Sequence, residues 1–274
     1  MEDKLIVLNN NIKMRYLESK AGHTSDRHIL FIHGLGSSAD RWLDIPDALS
    51  NYYHTIAVDL IGFGGSDKQA DINYTIEKFA EFILQFINKK GLNGDGGKIT
   101  LVGHSLGGYI AVEFAIRNIE LIEKLVLIDP SGFLKGPTPL LEQYLYAAKY
   151  TSYDNVRNVF EQLVSQPWKV SPALINTFIT RINSPRAKYA FESAYKNSTT
   201  TQIDLSRLKS IEDIATLIIW GNNDNLIPIE HSNPFKQVLK NYKSEIIEDT
   251  GHAPFAEKPA LICEILHSFL SQNN

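Results

Sequence analysis

One stretch limits what this 274-residue chain can fold into. Thr100-Leu101-Val102-Gly103-His104-Ser105-Leu106-Gly107-Gly108 is an apolar run that ends in Gly-x-Ser-x-Gly and passes straight into Tyr109-Ile110-Ala111-Val112-Glu113-Phe114-Ala115. The order reads as strand, sharp turn and helix. Glycines two positions either side of the serine fit a turn where strand and helix pack too closely for any Cβ. Ser105 is then held in a strained backbone conformation at the N-terminus of a helix. Its Oγ can attack a carbonyl carbon while the backbone N–H of Leu106 points at the oxygen that becomes negative. A plain Gly-rich turn is the simpler alternative, but the flanking strand and helix are the context that a nucleophilic serine needs.

The rest of the chain supplies a sheet for that turn. Leu5 to Leu8 and Ile12 to Leu17 flank three asparagines, which tolerate left-handed backbone, so an opening β-hairpin is expected. Ile29 to Ile32, Thr55 to Val58, Leu125 to Ile128 and Thr216 to Gly221 are short apolar runs of the kind covered on both faces, and a last strand is expected near Glu245 to Ile247. Helical spacing over about Thr75 to Lys89 and over Pro259 to Leu270 alternates with them, which implies βαβ units and a parallel sheet. From Ser131 to Arg207 the alternation stops. Tyr144 to Ala148, Val156 to Phe160 and Leu174 to Ile179 have helical spacing broken by Pro167, Pro172 and Pro185. The expected organisation is a core of residues 1–130 and 208–274 with a helical cap of residues 131–207 inserted over the sheet's carboxyl edge.

Composition narrows the function classes. A net charge of −4 offers no basic field for phosphates, so nucleic acid is not an expected partner. Cys263 is the single cysteine, which rules out an intrachain disulfide and fits a reducing compartment; packing as a small hydrophobe is its expected role. The first residues carry too few apolar side chains for a signal peptide or membrane span, and the sequence reads as a cytoplasmic protein. No metal-ligand spacing occurs, and no cofactor is expected.

A serine hydroxyl needs a base to take its proton and a carboxylate to orient that base. Asp224 follows one buried strand and His252 follows the next, and on a parallel sheet both loops emerge at the same carboxyl edge as Ser105. The order Ser105, Asp224, His252 is the nucleophile, acid, base order of one hydrolase fold. Asp129 also ends a strand and competes for the acid role, its alternative being to cap the turn that follows. Asp59 and Asp67 are expected to hydrogen-bond their own loops, His104 to pack, and His33 to hold its loop through a ring N–H. His23, His28, His54, His231 and His267 have no motif around them and read as surface or packing residues.

With these residues in place the chain resembles the α/β-hydrolases of the capped, esterase-like branch, almost from end to end. His33-Gly34-Leu35-Gly36 is similar to that family's oxyanion loop, Gly103 to Gly107 to its nucleophile elbow, Trp220-Gly221-x-x-Asp224 to its acid turn and Gly251-His252 to its histidine loop. Ala215, where relatives commonly have proline, and the loop Asp59 to Ser66 depart from the pattern away from the chemistry. The resemblance implies that the backbone N–H of Leu35 is the second oxyanion donor beside Leu106. It also implies serine hydrolysis of a small acyl substrate, with carboxylic esters favoured by the His-Gly-Leu-Gly-Ser-Ser loop. Hydrolysis of a carbon-carbon bond in ring-fission products is the alternative on the same residues, and a ligand receptor derived from such a hydrolase is a third.

Overall fold

The computed structural model describes residues 1–19, 27–42 and 44–272; His23 lies outside them. Eight strands form one sheet: β1 (Glu2–Val7), β2 (Lys13–Glu18), β3 (His28–Ile32), β4 (His54–Val58), β5 (Ile99–His104), β6 (Ile122–Ile128), β7 (Thr216–Gly221) and β8 (Tyr242–Ile247). Their spatial order is β1-β2-β4-β3-β5-β6-β7-β8, with the β1–β2 and β2–β4 pairs antiparallel and the remaining pairs parallel. The sheet is flanked by α1 (Asp44–Leu49), α2 (Ile76–Lys90) and α3 (Leu106–Arg117). Between β6 and β7 run α4 (Pro139–Lys149), α5 (Tyr153–Gln162), α6 (Pro172–Ile182), α7 (Ala187–Thr200) and α8 (Leu205–Leu208). The chain ends through α9 (Asn233–Val238), α10 (Pro254–Glu257) and α11 (Pro259–Leu270).

Local chemistry explains these elements. Asn10 and Asn11 both take φ +57, which lets the first hairpin turn back at low cost. Helix α2 starts where the Thr75 side chain accepts from the Lys78 N–H and stops at left-handed Gly91, and between them Phe79, Ile83, Phe86 and Ile87 are buried. Helices α4, α5 and α6 begin in the same way on Thr138, Ser152 and Ser171. Strands β5 and β7 are buried at every residue, as a sheet covered on both faces requires. Strand β8, at the edge, is exposed at five of its six residues, which is why its pattern is faint in the sequence.

Several polar residues do more than the sequence suggests. Asp67 bonds its own loop through its carbonyl, which accepts from Gly62 N–H, and its carboxylate also accepts from the Lys13 N–H on β2. Asp59 accepts from Gly65 N–H in its own loop, and also from Ala39 N–H and Arg15. His54 is more than a surface group. It meets Glu18 at 2.9 Å. Burial would push the Glu18 carboxyl up, but Lys4, Lys90 and His54 together hold it down to about 2. Cys263 is half-buried beside α1, with its thiol pushed up by burial.

Lys124 on β6 is almost fully buried, and its ammonium donates to the Phe269 and Gln272 carbonyls at 3.1 and 2.5 Å. A cation placed at the C-terminus of α11 satisfies carbonyls that have no partner within the helix and complements its dipole. Lys124→Met should therefore lower stability by about 2 kcal/mol and the melting temperature by several degrees. An unchanged thermal denaturation curve would show that these carbonyls do not depend on the ammonium.

Candidate active site

The elbow at Ser105 is built by close backbone contact. A Cβ on Gly103 would sit 2.3 Å from the Gly107 carbonyl oxygen, and one on Gly107 would sit 2.2 Å from that of Ile32, so neither position admits a side chain. Ser105 itself adopts φ +55 and ψ −120, a conformation that costs a non-glycine residue and is held by the packing around it. Ser105 lines a cavity of about 130 Å³.

Asp224 meets His252, which lines the same cavity. The Asp224 carboxylate accepts from His252 Nδ1–H at 2.7 Å through one oxygen, and from the Leu226 and Ile227 N–H groups at 2.8 and 2.9 Å through the other. Trp220 Nε1–H donates to the Ile227 carbonyl and fixes that turn. His252 and Ser105 line the cavity together, although no hydrogen bond joins the ring to the hydroxyl among the described residues. Leu35 and Leu106 line it too, and no protein acceptor among the described residues takes either backbone N–H.

His33 bridges two loops, as a ring N–H was expected to do: Nδ1 meets the Gly34 carbonyl at 2.7 Å and Nε2 accepts from Leu60 N–H at 3.0 Å. Burial holds it below the usual imidazole range. His104 packs between Trp42 and Phe255, and in addition its Nε2–H donates to the His252 carbonyl at 2.6 Å. Burial and the neighbouring His252 ring keep His104 neutral, well below the ordinary value. That tether could not be read from the elbow motif, where the second position accepts many residues. Glu257 was also missed; its carboxylate accepts from the N–H groups of Gly251, Ser165 and Gln166. Its signal is faint, a lone acid five residues beyond the histidine.

Asp129 takes neither of the roles expected of it. The His252 ring bonds to Asp224 instead, and the Asp129 carboxyl does not cap its own turn but accepts from Gly221 N–H on β7 at 2.9 Å. It is fully buried, its second oxygen has no protein donor among the described residues, and Asp224 lies beside it. Donor atoms of Asp129, Asp224 and His252 fall within 4.8 Å of one another, which could hold a cation, but most of their lone pairs already face protein N–H groups. Burial, reinforced by the charge of Asp224, pushes the Asp129 carboxyl far above the usual carboxylate range.

The scaffold around this geometry is matched in known proteins. A family profile described as alpha/beta hydrolase fold covers residues 27–259. The chain belongs to that family. It is 27% identical over 271 residues to the 2-hydroxy-6-oxo-6-(2'-aminophenyl)hexa-2,4-dienoic acid hydrolase of Metapseudomonas resinovorans, covering 95% of this chain and 88% of the relative. It is 28% identical to Lipase 1 of Psychrobacter immobilis, covering 94% of this chain and 80% of that one. A meta-cleavage product hydrolase from Pseudomonas fluorescens superposes with a TM-score of 0.87 at 23% identity, over 99% of this chain and 98% of that one, and shows the shared fold. No described helix is long and apolar enough to cross a membrane.

The raised Asp129 gives a stability test with a definite sign. In the unfolded chain this carboxyl ionises near its usual value, about 3.9, whereas in the fold it stays protonated, so folding must take up a proton and loses stability as pH rises above 4. Asp129→Asn keeps the size, the acceptor for Gly221 and a donor toward Asp224 without that cost. Its melting temperature should exceed the parent's by more at pH 7 than at pH 5. An advantage that shrinks with rising pH would contradict a protonated Asp129.

Proposed function

We propose that this protein is a serine hydrolase of carboxylic esters working through an acyl-enzyme, in a reducing compartment such as the cytoplasm. The observation that carries the reading is the 2.7 Å bond from His252 Nδ1 to the buried carboxylate of Asp224, with His252 and the strained Ser105 lining one cavity. A carboxylate on Nδ1 leaves Nε2 as the free basic nitrogen. In this reading His252 takes the Ser105 proton as Oγ attacks the ester carbonyl. The tetrahedral oxyanion is held by the N–H groups of Leu35 and Leu106, which no protein acceptor among the described residues occupies. His252 then gives the proton to the leaving alcohol, and water, activated by the same ring, releases the acid and restores the serine. The helices of residues 131–207 act as a cap: Tyr144, Phe160, Phe178 and Leu174 give the cavity an apolar roof that excludes water from the reaction. The two lipase-named and esterase-like relatives support an ester substrate.

A second reading is favoured by the dienoic acid hydrolase relative: hydrolysis of a carbon-carbon bond in a ring-fission product, by the same serine. kcat/KM measured for 4-nitrophenyl esters from acetate to palmitate, beside a 2-hydroxy-6-oxohexa-2,4-dienoate, separates the two. The ester reading expects turnover of esters at least comparable to that of the dienoate, and a steep preference for the dienoate sinks it. Ser105→Ala should lower kcat by about a thousandfold or more, because members of a triad act as one unit. A Ser105→Ala enzyme retaining most of its rate would refute the nucleophile.

A further inference from the structure

One cation lining the cavity has no counter-ion among the described residues. Arg41 leaves the short turn Ala39–Trp42 and lines the cavity together with Ser37, Ser38 and Arg181. Its neighbours are matched: Arg181 reaches Asp40 at 2.5 Å and also meets the Ser38 hydroxyl, while Asp40 takes Arg15 at 2.9 Å on its other oxygen. Arg41 meets no carboxylate, carbonyl or ring face among the described residues. Arg41 is only partly exposed, and it lines the cavity beside Tyr144.

A guanidinium does not escape burial by losing its proton. A partly buried charge on a largely apolar wall gains when an anion completes the pair. The footing of Arg41 is also rigid. Trp42 beside it stacks on Phe255 at 4.5 Å and packs against His104, so the turn is clamped to the elbow and the histidine loop. A fixed planar donor fork on the wall of a reaction cavity suits a carboxylate, which it can meet through two parallel hydrogen bonds.

We propose that Arg41 is an anion subsite, and that the substrates of this cavity carry a carboxylate, on the acyl or the leaving-group side, that pairs with its guanidinium. The proposal rests on the serine hydrolase reading and supplies the substrate class that reading lacks. Such a carboxylate enters with its charge and leaves with it; the bond broken remains the one attacked by Ser105.

The test compares acids with their neutral amides. Wild type, Arg41→Met and Arg41→Lys are assayed on 4-nitrophenyl hydrogen glutarate against 4-nitrophenyl glutaramate, and on 4-carboxyphenyl butanoate against 4-carbamoylphenyl butanoate. The first pair puts the charge on the acyl side and the second on the leaving group. In wild type the acid should exceed its amide in kcat/KM by about tenfold or more in one pair, the scale of one charge-assisted hydrogen bond. Arg41→Met should abolish that ratio and Arg41→Lys should restore part of it. A ratio unchanged by Arg41→Met, or absent from wild type in both pairs, overturns the proposal. A binding arm keeps this separate from the ester reading: Ser105→Ala protein, with and without Arg41→Met, is titrated calorimetrically with glutarate. Binding weakened about tenfold by the second substitution supports the subsite even where neither ester is cleaved, an outcome that would count against the ester reading alone. Glutarate that binds both proteins equally, or neither, overturns it. Arg41→Lys, which keeps the charge and most of the stem, serves in both arms if Arg41→Met fails to fold.

Discussion

The proposed chemistry depends on the placement of one imidazole, and three separate stretches of chain place it. Asp224 holds the ring through Nδ1, the Leu163 carbonyl accepts the His252 backbone N–H at 2.7 Å, and His104 donates to the His252 carbonyl at 2.6 Å. The first contact orients the ring; the other two fix the backbone from which it hangs. Proton transfer is sensitive to errors of about an ångström, so the backbone contacts matter as much as the carboxylate. They come from the acid turn after β7, the segment after α5 and the elbow itself. His252 is therefore the point at which sheet, nucleophile and inserted helices are joined.

Strain is concentrated at the same edge. Ser105, Asp129 and Asp249 all have positive φ at or just beyond the carboxyl ends of β5, β6 and β8. Such conformations cost on the order of 1–3 kcal/mol each and persist only where surroundings leave no alternative. Here those surroundings are the fully buried rows of β5 and β7, together with glycines that let α3 touch the sheet backbone. The core thus supports residues whose own preferences would relax the site.

The parts legible in the sequence were those with a local physical cause. The elbow, the hairpin asparagines, the apolar strands β3 to β7 and the final helix each carry their own pattern, and α11 spans the residues that spacing assigned to it. That Asp224 meets His252, and that His252 shares a cavity with Ser105, follows from the loops of a parallel sheet emerging at one edge. Helix α7 was missed: it starts at left-handed Arg186 without a side-chain cap, and its buried face is built partly of alanine, serine and threonine. The roles of His104, Glu257, Asp129 and Arg41 were equally hidden. Each depends on a partner, or the want of one, far away in the chain, and no spacing rule encodes that.

The seam between the inserted helices and the histidine loop has a mechanical meaning. Leu163 spends its carbonyl on His252, and the amides of Ser165 and Gln166 are spent on Glu257, which also accepts from Gly251. If the roof swung away along this side, those bonds would break and the imidazole would lose its footing at the moment the nucleophile met bulk water. Under the proposed mechanism, the bonds that would keep this roof shut are thus also the bonds that ready the base.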